Sequence, residues 1–343
     1  MPPKDDIAES RFPLASDVAR RAGVSTSTVS RVFNGTASVR ADKREAVMRA
    51  AEDLGFVANS AARALSTRRF MAVGAVIPNL ENDLFVRAMS SFQERLRRAG
   101  YTLILTNAGY DLDNEMREAS FLLERGIDAL LLVGDRHRPA LLDRIARQRI
   151  PFVQTFSLSA ERPCVGFDNA AAGARAARYL MDLGHRRIGL VTSIRQDNDR
   201  AGGRVDGVRG AMAERGLTVR PEHDIQTSYG IAAGRDGLRQ ILSASGSPPT
   251  AIICGTDQMA FGVMIEAQSR GMRIPHDLSL IGVNDADYAA FLTPSLTTIR
   301  IRSAEIGQVA GDYLVARMAG LPMVRVTEID AELILRASTA PPP

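Results

Sequence analysis

From Met71 onward, short aliphatic runs alternate with amphipathic stretches of helical period, and that alternation leaves few folds open. The runs are Met71–Ile77, Thr102–Thr106, Ala129–Val133, Phe152–Thr155, Arg187–Thr192, Ala251–Cys254 and Leu280–Val283. Between them lie stretches of helical pattern such as Leu84–Ala99, Asn114–Arg125, Ala170–Leu183, Gly203–Arg215 and Met259–Arg270. Gly100, Gly126, Gly184, Gly216 and Gly271 follow these stretches, where glycine supplies the left-handed residue that closes a helix. Strand–helix alternation predicts an α/β fold of parallel sheets built from βαβ units. About ten such units exceed one comfortable open sheet, which predicts two lobes.

The first fifth of the chain reads differently. Phe12–Phe56 is short, Ala/Val-rich and helical in pattern, and Asn59–Phe70 is small and basic with little to bury. Residues 1–70 hold 12 Lys/Arg against 8 Asp/Glu, while the remaining residues hold 31 of each. The net charge of +4 therefore lies entirely in this segment. A basic module on a neutral body suits a nucleic-acid-binding head, although a solvated surface explains so small an excess equally well. Cys164 and Cys254 sit in apolar runs and form no CxxC pair, the usage of a reduced interior. The polar, acidic Met1–Ser10 lacks a signal peptide's apolar stretch. No apolar run nears the ~20 residues that cross a bilayer, so a cytoplasmic protein without membrane partners is expected.

Within the head, Ser16 is expected to cap a first helix, with Asp17 beside the positive end of its dipole. Gly23 breaks that helix, and Ser25 caps a second, Thr26–Phe33. Val29, Val32 and Phe33 face inward at helical spacing, leaving Thr26, Ser27, Thr28, Ser30 and Arg31 outside. Short hydroxyls contact phosphates or base edges, and arginine binds guanine bidentately. A third helix, Ala41–Leu54, presents Val47, Ala51 and Leu54 inward and ends at Gly55. Together these form a three-helix helix-turn-helix head.

These residues resemble those of the lactose-repressor (LacI/GalR) family. The matching motifs are Asp17-Val18-Ala19-Arg20-Arg21-Ala22-Gly23-Val24-Ser25, Thr28-Val29-Ser30-Arg31-Val32, Asn34-Gly35, Leu54-Gly55-Phe56 and Asn59-Ser60-Ala61-Ala62-Arg63-Ala64-Leu65. Downstream, Val165-Gly166-Phe167-Asp168-Asn169, Leu183-Gly184-His185-Arg186-Arg187-Ile188 and Pro294-Ser295-Leu296-Thr297-Thr298-Ile299 follow in the expected order. The resemblance runs from about Leu14 to Ala337. It implies a transcription regulator, a repressor by implication, that binds a near-palindromic double-stranded operator as a homodimer, with a tetramer left open. It also implies a periplasmic-binding-protein-like core whose two lobes enclose a small-molecule effector, a sugar or sugar acid, with no cofactor.

The implied domains are residues 1–58 for the DNA-binding head, with 1–11 as a disordered tail, and 59–70 for a hinge. The core is 71–343, with an N-lobe of about 71–168 and 299–326 and a C-lobe of about 169–298 and 327–340. The implied DNA-binding set is Ser16, Ser25, Thr26, Ser27, Thr28, Ser30, Arg31, Asn34, Arg40, Asn59, Ala62, Arg63 and Leu65. Leu65 matches a minor-groove wedge, which unstacks a base step in return for further contacts. Arg40 stands where the family usually places a Ser cap, and a phosphate contact is expected of it.

In parallel α/β sheets, ligands bind beyond the carboxyl ends of the strands. Asn, Asp, Arg and aromatic residues crowd those positions here. The implied effector set is Asn82, Phe85, Phe156, Asn198, Arg200, Arg204, Tyr229, Asp257 and Asn284. Phe85 matches the ring-stacking position and Arg204 the family's ligand-binding arginine, while Asp257 has helix capping as its other reading. Asn284 stands where many relatives hold Asp; its neutrality beside Arg200 and Arg204 favours an anionic effector.

Catalysis finds little support. There is no GxSxG, no GxxxxGK[ST] and no GxGxxG after the first strand. His137, His185, His223 and His276 are scattered without metal-ligand spacing. A free-standing sugar-binding protein and a Rossmann-type enzyme are the rival readings. The helix-turn-helix head argues against the first and the missing cofactor fingerprint against the second.

Overall fold

The computed structural model describes residues 13–33, 39–57 and 69–343. The chain divides into two compact units, Met1–Met71 and Ala72–Pro343.

The first unit is a three-helix bundle of α1 (Ala15–Ala22), α2 (Thr26–Phe33) and α3 (Ala41–Leu54). Val18, Ala19, Val29, Val32, Val47, Ala50 and Ala51 form its buried core, with Phe33, Leu54 and Phe56 packed around them. Gly23 and Gly55 close α1 and α3 with φ of 66° and 64°. The expected cap of α1 is corrected: Leu14, not Ser16, is its first boundary residue, and Leu14 N donates to the Asp17 carboxylate at 2.9 Å. Ser16 lies inside the first turn with its side chain exposed, because Asp17 already supplies the acceptor that fixes where the helix begins. Ser25 does cap α2, its Oγ accepting from Thr28 N at 3.2 Å.

The second unit contains two six-stranded sheets. The first is ordered β11-β5-β4-β3-β1-β2. Its strands are β1 (Ala72–Ile77), β2 (Thr102–Asn107), β3 (Ala129–Val133), β4 (Phe152–Thr155), β5 (Cys164–Gly166) and β11 (Val326–Glu328). The second is ordered β12-β10-β9-β8-β6-β7. Its strands are β6 (Ile188–Ser193), β7 (Asp224–Thr227), β8 (Ala251–Cys254), β9 (Ser279–Asn284), β10 (Thr297–Arg300) and β12 (Glu332–Ile334). All pairings are parallel except β10 with β12.

Helices α4 (Asp83–Arg98), α5 (Leu112–Glu124), α6 (Pro139–Gln148) and α11 (Ser303–Met318) belong to the first lobe. Helices α7 (Asn169–Asp182), α8 (Asp199–Ala213), α9 (Ile231–Ser243) and α10 (Asp257–Ser269) belong to the second. The five glycines expected to close helices all have positive φ. In each sheet the strand order reverses once, between β1 and β3 and between β6 and β8. That is where loops part and a crevice opens beyond the strand ends.

The chain crosses between lobes three times. The first crossing, between β5 and α7, falls at the expected Asp168. The other two lie beyond Thr298 and Val326, because β10 stays in the second sheet through Arg300 and Val326–Glu328 pairs with β5 in the first. A second correction concerns α8, which begins at Asp199 rather than Gly203, with Asn198 as a side-chain cap accepting from Ala201 N. Arg200 and Arg204 are therefore four residues apart on one helical face.

Candidate DNA-reading helix and ligand cleft

The outer face of α2 carries Thr26, Ser27, Ser30 and Arg31 exposed and Thr28 half-buried. Ser25 Oγ lies 2.8 Å from Ser27 Oγ and 2.9 Å from Thr28 Oγ1, so three hydroxyls cluster at the positive end of the helix, where a phosphate oxygen is best received. Arg40 is exposed just before α3 and makes no capping bond. Its guanidinium forks onto Asp42 at 3.2 and 3.0 Å. A backbone N–H at Lys43 and that guanidinium together hold the Asp42 carboxyl below its usual range. Asn34, Asn59, Ala62, Arg63 and Leu65 lie outside the described residues.

In the second unit, eight of the nine expected effector residues line one cavity: Asn82, Phe85, Phe156, Asn198, Arg200, Arg204, Tyr229 and Asn284. Leu84, Tyr110, Phe167, Gly255, Thr256 and Ile301 complete it. The loops after β1, β2, β4, β6, β7, β8 and β9 converge there, as strand ends at a switch point should. Phe85 and Phe156 meet edge to face at 5.3 Å, and Tyr110 of the first lobe stacks on Tyr229 of the second at 4.7 Å and 14°. Asn198 Nδ2 donates to the Tyr229 hydroxyl at 3.0 Å. Asn284 Nδ2 reaches Asn82 Oδ1 at 3.4 Å.

Arg204 is aimed by the packing of its helix. A Cβ on Gly173 would overlap the Arg204 carbonyl oxygen, and one on Gly207 would overlap that of Ala170. Helices α7 and α8 therefore approach backbone to backbone. Arg204 Nη1 donates to Asn169 Oδ1 at 2.7 Å, and Asn169 Nδ2 donates to the Phe156 carbonyl at 2.9 Å. Burial lowers the guanidinium's pKa, yet arginine keeps its proton in a protein. Burial, then the neighbouring Tyr229, pushes the Tyr110 hydroxyl well above its usual value.

Arg200 is less available than its sequence position suggested. It is buried, donates to the Val133 carbonyl at 3.2 Å and pairs with Asp199 at 3.0 Å. No Asp or Glu lines the cavity, so Arg204 supplies its net charge. Backbone torsion is concentrated here as well. Phe156, Tyr110, Asn284 and Asp285 all have positive φ, a conformation that costs about 1–3 kcal/mol each and persists only where surroundings impose it. Arg300 and Arg336 supply part of that restraint by gripping Asp285 at 2.7 and 2.6 Å.

Asp257 is the correction among the effector residues. It is 1% exposed and is not among the residues that line the cavity. Its carboxylate accepts from Ala286 N at 2.7 Å and Thr298 Oγ1 at 2.6 Å, bracing the loop after β9 against β10. The cap of α10 is Thr256. Burial pushes the Asp257 carboxyl up to about 6. Tyr110 is the aromatic residue of the inter-lobe stack that sequence reasoning missed. It follows the tight turn at Gly109 and takes φ 61° itself. Its only sequence signal is an aromatic residue four positions beyond the end of the run Thr102–Thr106.

A head that offers hydroxyls and an arginine on one helix, on a core with a polar and aromatic cleft at two strand switch points, defines a ligand-responsive, DNA-binding regulator. Residues 16–59 match the family model for bacterial regulatory proteins of the lacI family, and residues 177–339 match that for a periplasmic binding protein-like domain. The chain is 34% identical over 332 residues to the HTH-type transcriptional repressor PurR of Pectobacterium carotovorum subsp. carotovorum, covering 95% of this chain and 97% of that one. It belongs to the lacI family and is a DNA-binding transcriptional repressor with an effector-binding domain. A transcriptional regulator from Silicibacter pomeroyi shares the fold with a TM-score of 0.88 at 24% identity over 95% of this chain and 99% of that one. The lac repressor dimer bound to operator shares it with a TM-score of 0.83 at 23% identity over 96% and 99%.

Proposed function

We propose that the chain acts in the cytoplasm as a homodimer on a near-palindromic operator, and that an anionic, polyhydroxylated small molecule such as a sugar acid sets its affinity. In this reading α2 enters the major groove, with Thr26, Ser27 and Arg31 at base edges and Ser16, Ser25, Thr28, Ser30 and Arg40 at or near phosphates. The hinge at residues 59–70, with Leu65 as wedge, rests on the family resemblance. The effector acts only through its different affinity for the two states of the core.

One observation carries the choice of effector. Arg204 faces a cavity lined by three amides and five aromatic rings, with no carboxylate among the described lining residues to neutralise it. A planar fork of donors suits a carboxylate bidentately. The amides suit hydroxyls, and the rings cover an apolar ring face.

A thermal-shift screen of the full chain tests this, pairing D-glucose with D-gluconate, D-galactose with D-galactonate, and including purines. A ligand at 100 times its Kd adds about 2.7 kcal/mol. The expected result is a shift with the acid of a pair and none with its neutral partner, abolished in Arg204→Gln. Shifts with neutral sugars or purines alone would discard the acid.

A further inference from the structure

Asp199 opens α8 in the second lobe, yet most of its partners belong to the first. Its Oδ2 accepts from Ser157 Oγ at 2.5 Å and from the Asp135 backbone N–H at 3.0 Å. Its Oδ1 pairs with Arg200 Nη1 at 3.0 Å, and the same nitrogen donates to the Val133 carbonyl at 3.2 Å. The first-lobe wall between these contacts is Gly134, at φ 93°. A Cβ there would overlap both the Arg200 guanidinium and the Asp199 carboxylate. The start of α8 is thus fitted against the loop after β3 and Ser157, two residues beyond the end of β4. Burial alone would raise the Asp199 carboxyl, but Arg200, the Ser157 hydroxyl and the Asp135 N–H outweigh it and hold the group below its usual range.

We infer that Asp199 is a positioning residue for effector binding: its carboxylate clasps the first lobe and sets the angle between the lobes at which the cleft residues meet. It does not line the effector cavity. It acts through α8, which carries Arg204 little more than a turn further on, and through the separation at which Tyr110 meets Tyr229 and Asn82 meets Asn284. Every atom of the clasp belongs to the chain, so its strength is independent of which effector binds. A charge-assisted bond between lobes is stronger than a neutral one, and its loss frees both the Ser157 hydroxyl and an inward-facing amide.

The test uses the full chain with spin labels on Arg117 and Asp236, one exposed position in each lobe, and hydrogen exchange at the Asp135 amide. Asp199→Ala is expected to widen the inter-lobe distance distribution and to speed Asp135 exchange by about tenfold or more, with amides inside β3 unchanged. Ser157→Ala removes one donor without touching α8 and is expected to shift both readouts in the same direction by less. It decides the matter if Asp199→Ala does not fold. A merely structural role would lower the melting temperature and leave the distance distribution as in the wild type. Wild-type distances and wild-type Asp135 exchange in a folded variant would overturn the inference. Neither readout involves DNA or a ligand, so it stands or falls apart from the proposed effector class.

Discussion

Among single side chains, Arg204 and Asp257 show how surroundings assign roles that residue type alone does not. Both follow a strand of the second sheet. Arg204 is left facing the cavity, whereas Asp257 has both carboxylate oxygens occupied by donors from its own lobe. With its folded value raised to about 6 from 3.8, Asp257 holds its proton more tightly in the folded chain than in the unfolded one. Its contribution to stability is therefore fully present below pH 3.8 and is lost as the pH rises through 6. The difference is about 3 kcal/mol at most. Unfolding of Asp257→Asn, measured against the wild type from pH 4 to pH 8, should show relative stability rising across that window and levelling above it. A pH-independent difference would mean that the charge carries no cost there. Arg40 makes a second case. Its pair with Asp42 is exposed and weakened by solvent screening, so a phosphate can take its place cheaply. Arg40→Ser should weaken DNA binding and reduce the salt slope by about one, and Asp42→Asn should strengthen binding. Unchanged affinity and slope in Arg40→Ser would remove Arg40 from the interface.

At the scale of elements, α7 and α8 decide where Arg204 points. Gly207→Ala puts a methyl group into the Ala170 carbonyl and should cost about 1–3 kcal/mol or more. Gly210→Ala, on the same helix with nothing within 4 Å of its new Cβ, should stabilise by about 0.5–1 kcal/mol. Equal effects in thermal unfolding would show that the close approach carries no weight. Both glycines look alike in the sequence, since their difference is a tertiary contact. The seven longer apolar runs were legible because buried parallel strands read as continuous hydrophobic runs. The five unread strands, β5, β7, β10, β11 and β12, lie at or next to a sheet edge, where polar residues intrude. Val326–Ile334 carries no Gly or Pro to mark a break, so nothing local placed the last crossing. The start of α8 was misjudged because Asn198-Asp199 reads as a turn and only its cap bond to Ala201 identifies it as a helix start. The residues that line the cavity are legible as a set, because strand ends at a switch point converge whatever the details. Tyr110 and the clasp at Asp199 are not, since each depends on what the opposite lobe presents.

For the whole molecule, the division of charge matches the division of labour. The excess of +4 belongs to the segment that contains the head, and the rest of the chain is neutral. A basic head gives sequence-independent attraction that falls with salt, and in the proposed reading the side chains of α2 supply the selection. In the proposed homodimer, two such heads related by a two-fold axis can be satisfied together only by a two-fold site. The most direct test of this account is selection of duplexes from a randomised pool by the full-length chain. Enrichment of two inverted half-sites, with centres about one helical turn (roughly 10 bp) apart or a multiple of it, is predicted. Recovery of sequences no different from the starting pool would contradict it.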